Sequence, residues 1–174
     1  MFSKIFNIIQ GERSSGKSVL LWNLSKILKS EGYKICFVGC SDEYSNDGLD
    51  VFLTHYDFVR VVPNKVSYSN SQTFDLLKEL LERDKYDYLL IDDVDILDKS
   101  YWNKIKNISI KKIFTCGELP LIGGVPYNLM KVTHRYDDSD LTTKTFVEYN
   151  KQFYTLESFV SSLLRDVKIK KILK

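Results

Sequence analysis

The clearest chemical signature in this chain is a glycine-rich loop near the N-terminus. Residues 11–18 read Gly-Glu-Arg-Ser-Ser-Gly-Lys-Ser and match the pattern G-x-x-x-x-G-K-[ST] at every fixed position. Glycines near both ends let the backbone turn tightly and direct its N–H groups at phosphate oxygens. Lys17 supplies a positive charge for the β- and γ-phosphates, and the hydroxyl of Ser18 is a ligand for Mg²⁺. The pattern predicts an ATP site formed by Gly11, Glu12, Arg13, Ser14, Ser15, Gly16, Lys17, Ser18 and Val19.

The sequence on either side of this loop is what a phosphate-binding loop requires. The apolar run at residues 5–9 predicts a strand before it. After it, apolar residues recur at helical spacing as far as Leu28, and Gly32 stands where a helix C-cap belongs. A loop that leaves a strand and opens a helix places the positive end of the helix dipole at the anion. This context favours a functional loop over a chance match.

A second candidate segment is an apolar run that ends in two carboxylates. Tyr88-Leu89-Leu90-Ile91-Asp92-Asp93 predicts a buried strand with acidic residues at its carboxyl end. There we expect Asp92 to hold Mg²⁺ opposite Ser18, through the water shell of the ion. Asp93 is a candidate for orienting water or acting as a base. The plainer alternative is a strand followed by a polar turn, because Asp is common in turns.

Strand and helix patterns alternate along the first two thirds of the chain. Strands are expected at residues 5–9, 34–40, 58–62, 86–91 and 110–115. Helices are expected directly after the glycine-rich loop and at residues 49–55, 71–83 and 101–105. This alternation predicts an α/β fold with a mainly parallel sheet covered by helices on both faces.

The last third of the chain has a different pattern. Residues 128–136 and 144–153 are long strand-like runs with scattered polar residues, and an Asp-rich turn lies between them. This pattern predicts an antiparallel hairpin on the edge of the sheet. A final amphipathic helix is expected to begin after a cap at Thr155. Residues 1–167 are therefore expected to form one domain, followed by a basic tail at residues 168–174.

Charge, hydropathy and cysteine content indicate where the protein is located and which partners it binds. The 174 residues carry a formal net charge of only +2, so overall charge does not indicate strong nucleic-acid binding. The basic tail is either a solvated terminus or a contact to a polyanion. No apolar run is long enough to span a membrane, and no signal peptide is evident, so we expect a cytoplasmic location. Cys36 and Cys40 lack the second pair that a zinc site requires, and three cysteines without a framework suggest a reducing compartment.

The order of strand, phosphate loop, long helix and second strand resembles the RecA/DnaB/KaiC branch of P-loop ATPases. The second strand, Ile35-Cys36-Phe37-Val38, leads into Gly39-Cys40-Ser41-Asp42-Glu43, where that family carries its catalytic glutamate. The resemblance implies that Glu43, or else Asp42, polarises the attacking water. It also implies a three-layer α/β/α fold and Mg²⁺-dependent ATP hydrolysis. A homo-oligomer or larger ATPase assembly, and work on nucleic acid in recombination, repair, replication or packaging, are implied in the same way.

Two further positions of that family have weaker counterparts here. A later strand of the family ends in a polar residue, commonly Gln, that senses the γ-phosphate, and the matching segment offers Thr115 or Glu118. A Lys or Arg near the end of the second hairpin strand reaches the nucleotide of a neighbouring subunit in the family. Lys151 lies at about that place, although an exposed strand lysine is the commoner explanation.

Three other functions fit parts of the sequence. An AAA+ ATPase of the initiator and helicase-loader group resembles the stretch from Leu89 to Leu97, but that class needs a helical lid where strands are predicted here. A small-molecule kinase, such as a nucleoside kinase, usually has an arginine-bearing lid, whereas the arginines of this chain are dispersed. A nucleotide-binding regulator without turnover is consistent with the missing sensor Gln. The RecA-like ATPase is the leading hypothesis.

Overall fold

Eight strands form one mixed sheet in the computed structural model of the chain, which describes residues 6–39, 57–60, 79, 82–83, 85–92, 110, 112–117, 126–137 and 142–172. The strands are β1 (Phe6–Gln10), β2 (Ile35–Gly39), β3 (Asp57–Arg60), β4 (Tyr88–Asp92), β5 (Lys112–Cys116), β6 (Tyr127–Asp137), β7 (Thr142–Tyr149) and β8 (Gln152–Thr155). Two helices are fully bounded within the described residues, α1 (Lys17–Ser30) and α2 (Leu156–Ile172).

The strand order places the two predicted site segments near the middle of the sheet. The order is β3-β2-β4-β5-β1-β6-β7-β8. Neighbouring strands from β3 to β6 run parallel, whereas β7 is antiparallel to both β6 and β8. Strand β1, which leads into the glycine-rich loop, lies between β5 and β6, and β5 separates it from the acidic strand β4. The predicted α/β class and mainly parallel sheet are confirmed.

Both faces of the inner parallel strands β1, β2, β4 and β5 are buried, which explains their nearly continuous apolar sequences. Side chains alternate between the two faces of a sheet. Ile9, Leu90 and Phe114 lie on the face that contacts α1 and α2, and Ile8 and Ile91 on the opposite face are buried as well. The core on the helix-covered face comprises Ile9, Leu20, Leu21, Leu24, Ile27, Leu28, Ile35, Phe37, Leu90, Phe114, Cys116, Met130, Val132, Val147, Tyr149, Phe159 and Leu163.

A buried asparagine links the three strands at the centre of the sheet. Asn7 of β1 is fully buried, and its Nδ2 donates to the carbonyl oxygen of Ile113 in β5 at 3.2 Å. Its Oδ1 accepts from Nδ2 of Asn128 in β6 at 2.7 Å. Buried polar groups are costly unless they are paired, so these bonds favour one register of β6 beside β1. That register also sets which residues of β6 lie beside the glycine-rich loop.

Helix α1 ends as the sequence predicts. Gly32 follows the C-cap residue Glu31 and adopts a left-handed φ of 81°. Its N–H donates to the carbonyl oxygen of Lys29 at 2.9 Å, and the N–H of Tyr33 donates to that of Leu28 at 3.1 Å. These bonds pair carbonyls that the end of the helix would otherwise leave unsatisfied.

The prediction of a single strand at residues 144–153 is wrong. Asn150 and Lys151 adopt left-handed φ values of 53° and 63°, and the chain reverses there. Strand β7 therefore ends at Tyr149, and β8 returns beside it from Gln152, paired antiparallel. Two consecutive left-handed residues form the kind of tight turn whose twist matches a hairpin. Lys151 is exposed, as expected, but it lies in this turn and not in a strand.

Helix α2 begins and packs as predicted. The backbone N–H of Ser158 donates to Oγ1 of Thr155 at 3.2 Å, the bond of an N-cap. Phe159 and Leu163 are buried, and the Phe159 ring meets that of Tyr149 at 5.9 Å. Residues 168–172, which the sequence assigns to a basic tail, continue this helix. No helix of the described residues is both long and apolar enough to cross a membrane.

Other predicted helices fall mostly outside the described residues. Those at residues 49–55 and 101–105 lie outside them entirely. Of the helix predicted at residues 71–83, only residues 79, 82 and 83 are described, and they are helical.

Replacing Phe159 with Ala is expected to lower the free energy of unfolding by about 3–5 kcal/mol, because removing the buried ring would leave a cavity between α2 and the sheet. Phe153 of β8 is 57 % exposed and serves as the matched control. Phe153→Ala should cost about 1 kcal/mol or less, mainly through its contact with Arg135. Urea unfolding measures both values. Equal losses in the two variants would contradict the packing of α2 on the sheet.

Candidate functional site

The glycine-rich loop connects the end of β1 to the start of α1 through two left-handed residues. Ser14 has a φ of 59°, and Gly16, the N-cap residue, has a φ of 92°. Between them, the N–H of Ser15 donates across the loop to the carbonyl oxygen of Glu12 at 3.2 Å. Helix α1 has no side-chain cap at this end and no acidic residue in its first turn. Its positive end is therefore suited to an anion.

The two glycines of the pattern are required by close packing as well as by backbone conformation. A Cβ at position 11 would overlap the carbonyl oxygen of Val132 and lie 2.5 Å from Oγ of Ser15. A Cβ at position 16 would lie 3.2 Å from Cγ2 of Thr145, on a backbone that L-residues rarely adopt. Strands β6 and β7 therefore form one wall of the loop.

Ser18 and Asp92 meet although 74 residues separate them in sequence. The hydroxyl of Ser18, in the first turn of α1, donates to Oδ1 of Asp92 at 3.1 Å. Asp92 is the last residue of β4, lies on the sheet face that α1 covers and is 1 % exposed. A hydroxyl and a carboxylate side by side are oxygen donors of the kind that Mg²⁺ prefers. The predicted pairing of the loop with the acidic strand is present in the structure.

Lys17 lies over its own loop. Its Nζ donates to the carbonyl oxygens of Gly11 at 2.9 Å and Glu12 at 2.6 Å. The backbone of Lys17 is also contacted by β5, because Sγ of Cys116 donates to the carbonyl oxygen of Lys17 at 3.4 Å. The ammonium group is thus already at the loop, and phosphate oxygens would replace two carbonyls as its acceptors.

The donor set fits a Mg²⁺-bound nucleotide better than a metal held by protein alone. No group of three or more His, Cys, Asp or Glu side chains suited to a metal occurs among the described residues. Mg²⁺ usually binds proteins through one or two oxygen ligands and completes its shell with phosphate and water. Inside the loop, Oγ of Ser15 is buried without a hydrogen-bond partner. An unpaired buried hydroxyl costs about 1–3 kcal/mol, so a polar ligand in the loop would relieve it.

Two residues of this region are missing from the sequence-based prediction. Nε2 of His134, in β6, is hydrogen-bonded to the carbonyl oxygen of Ser14. Nδ1 of the same ring is 3.1 Å from Oγ1 of Thr145, its cross-strand neighbour in β7. Strand alternation alone places His134 on the same face as Val132. It does not show that β6 lies next to β1, and that pairing is what brings His134 to the loop.

Thr115, a candidate γ-phosphate sensor, lies on the sheet face opposite to that of Asp92 and α1. It pairs with Ile8 and Ile91, so its side chain shares their face and points away from α1. There it is 1 % exposed, and its Oγ1 has no hydrogen-bond partner. The last β5 side chain on the α1 face is Cys116, which is buried and not in a disulfide.

The remaining predicted site residues lie outside the described part of the chain. They are Asp42, Glu43, Asp93 and Glu118. Their roles as water-activating or sensing groups stay predictions from the sequence.

No family model matches this sequence, and a comparison with curated proteins gives no match either.

Gly11→Ala is expected to lower the free energy of unfolding by about 1–3 kcal/mol, because the new methyl group would meet a backbone carbonyl that cannot move aside. Gly32→Ala is the control, since it adds backbone strain at a φ of 81° but meets no atom within 4 Å. Amide chemical shifts should change along the loop and residues 130–134 in the first variant, and only near the end of α1 in the second. Parent-like stability and shifts in Gly11→Ala would contradict the close approach of β6.

Proposed function

We propose that this chain is a Mg²⁺-dependent ATPase that binds and hydrolyses ATP. The observation that carries the proposal is the 3.1 Å contact between the hydroxyl of Ser18 and the carboxylate of Asp92. It joins the two sequence segments that a P-loop ATPase needs on either side of its metal. A loop that matched the pattern by chance would have no reason to meet the carboxyl end of a buried strand so far along the chain.

Phosphate binding would use groups that are already arranged around the loop. The start of α1 offers backbone N–H groups and a positive helix end, and the glycines keep the loop open to a large anion. Lys17 would exchange its contacts with the carbonyls of Gly11 and Glu12 for contacts with phosphate oxygens. Because the ammonium is strongly attracted to a polyphosphate, this exchange favours binding.

Ser18 and Asp92 are the residues proposed to hold Mg²⁺ beside the phosphates. When bound, the ion would neutralise charge that develops on the phosphoryl group during transfer. Asp92 is suited to this role because its burial on the α1 face gives it a fixed position. Ser18 presents its hydroxyl to the same point from the first turn of α1.

The residues that we propose for ATP hydrolysis are inferred from the sequence, because they lie outside the described residues. Glu43, with Asp42 as the alternative, is proposed to polarise the attacking water, and Asp93 is a further candidate for orienting it. The RecA-like branch is supported by burial on both faces of β1, β2, β4 and β5 and by the antiparallel strand β7 at the C-terminal side of the sheet. Among the described residues after β5, those at 127–137, 142–149 and 152–155 form strands, and those at 156–172 form one helix that packs on the sheet. They do not supply the helical lid that an AAA+ ATPase needs there.

The proposed partners follow from this branch. An assembly of several copies of the chain is proposed because RecA-like sites are often completed between subunits. Nucleic acid is proposed as a further partner, with residues 168–174 as a candidate contact.

Lys17→Ala is expected to weaken binding of Mg²⁺–ATP at least about tenfold, because it removes a charged hydrogen-bond donor to the phosphates. Lys26→Ala, at an exposed position on the same helix, is the control and should bind as the parent does. Calorimetric titration measures both affinities. Unchanged affinity in Lys17→Ala would rule out the proposed phosphate site.

Glu43→Gln is expected to keep ATP affinity while hydrolysis falls by about 10²- to 10⁴-fold, because the amide no longer accepts a proton from water. Asp42→Asn is the matched comparison for the neighbouring carboxylate. Phosphate release at saturating ATP measures turnover. Equal hydrolysis rates in Glu43→Gln and the parent would remove Glu43 from the catalytic role.

A further inference from the structure

A histidine and a threonine on neighbouring strands hold one peptide group of the phosphate loop. We propose that His134, oriented by Thr145, is a positioning residue that keeps the carbonyl group of Ser14 directed away from the bound phosphates. The role deepens the proposed function and rests on it, because it concerns the shape of the same ATP site.

Three side-chain and backbone groups form a continuous chain of hydrogen bonds. Nε2 of His134 lies 2.5 Å from the carbonyl oxygen of Ser14. Its Nδ1 lies 3.1 Å from Oγ1 of Thr145. His134 and Thr145 are directly opposite each other in the β6–β7 pair, so the sheet itself fixes their separation.

The chemistry of the acceptors determines the tautomer of the ring. A carbonyl oxygen can only accept, so Nε2 of His134 must carry the hydrogen that bonds to Ser14. In the neutral imidazole Nδ1 is then an acceptor, and it is the Thr145 hydroxyl that donates. The carbonyl of Ser14 therefore selects the tautomer, and the Thr145 hydroxyl, which can donate or accept, supplies the matching donor to Nδ1 and orients the ring.

The peptide group that His134 contacts also contributes an N–H to the loop. The carbonyl of Ser14 and the N–H of Ser15 belong to one planar trans peptide and point in opposite directions. With the carbonyl held by His134, the N–H of Ser15 crosses the loop to the carbonyl oxygen of Glu12. If this peptide turned over, the negative end of its dipole would face the phosphates and repel them.

The backbone at this point needs support from outside the loop. Ser14 is a non-glycine residue with a φ of 59°, a conformation that costs roughly 1–2 kcal/mol. The same pair of side chains also covers Gly16. A Cβ built on Gly16 would lie 3.2 Å from Cγ2 of Thr145 and 3.9 Å from Cε1 of His134. His134 and Thr145 thus lie beside both left-handed residues that shape the anion site.

The test compares Mg²⁺–ATP affinity in the full-length chain and five variants. His134→Ala and Thr145→Val should each weaken binding about five- to tenfold, the effect of losing one hydrogen bond that orders the site. His134→Gln keeps a donor and Thr145→Ser keeps the hydroxyl, so both should stay within about twofold of the parent. Thr133→Ala alters an exposed position of β6 on the opposite face and should bind as the parent does.

A second measurement reads the hydrogen bond without nucleotide. Long-range ¹H–¹⁵N spectra of the imidazole should show His134 protonated at Nε2 in the parent and a mixture of tautomers in Thr145→Val.

Parent-like affinity in His134→Ala would overturn the proposal. Equal losses in His134→Ala and His134→Gln would also overturn it, since they would indicate that ring packing matters and the donor does not. If the parent itself bound no ATP, the proposed function would fail, whereas the tautomer spectra would still report whether His134 holds the loop.

Discussion

The candidate site depends on one carboxylate, that of Asp92, which is buried where helix α1 meets the sheet. Asp92 is 1 % exposed, and removing a charge from water is costly unless polar partners replace the water. The hydroxyl of Ser18 is one such partner, and it comes from the helix that the glycine-rich loop opens. A carboxylate in this position therefore ties the start of α1 to the end of β4. It also gives the site a negative group that a divalent cation would stabilise.

Strands β6 and β7 belong to the site as much as the loop does. The carbonyl of Val132 leaves no room for a side chain at Gly11, and Thr145 occupies the space beside Gly16. The asparagine pair between β1 and β6 favours the register that produces these contacts. Glycine in the phosphate-binding pattern thus has two physical causes here. It permits left-handed backbone, and it lets an adjacent strand approach the loop without a clash.

The sequence predicts the parts of the site that depend on local pattern. Residues 11–18 are recognisable because the chemistry requires those residue types at that spacing, and Asp92 is recognisable because it ends an apolar run. The parts that depend on strand pairing are not predictable in this way. His134 reaches a residue 120 positions earlier in the chain, and only the pairing of β6 with β1 brings them together. The face that Thr115 occupies is likewise set by strand position, because a difference of one residue reverses the face. The sequence does not predict the turn at Asn150 and Lys151 because neither residue is a glycine, although Asn tolerates left-handed backbone.

The most direct test of the account is a double-mutant cycle on Ser18 and Asp92, read as ATP affinity with and without Mg²⁺. If both residues hold the same ion, Ser18→Ala and Asp92→Asn should each reduce the affinity gained from Mg²⁺, and the double variant should lose less than the two single losses combined. In excess EDTA this coupling should shrink, because the shared ligand is gone. Strictly additive losses in the presence of Mg²⁺, or an undiminished benefit of Mg²⁺ in the double variant, would contradict the account.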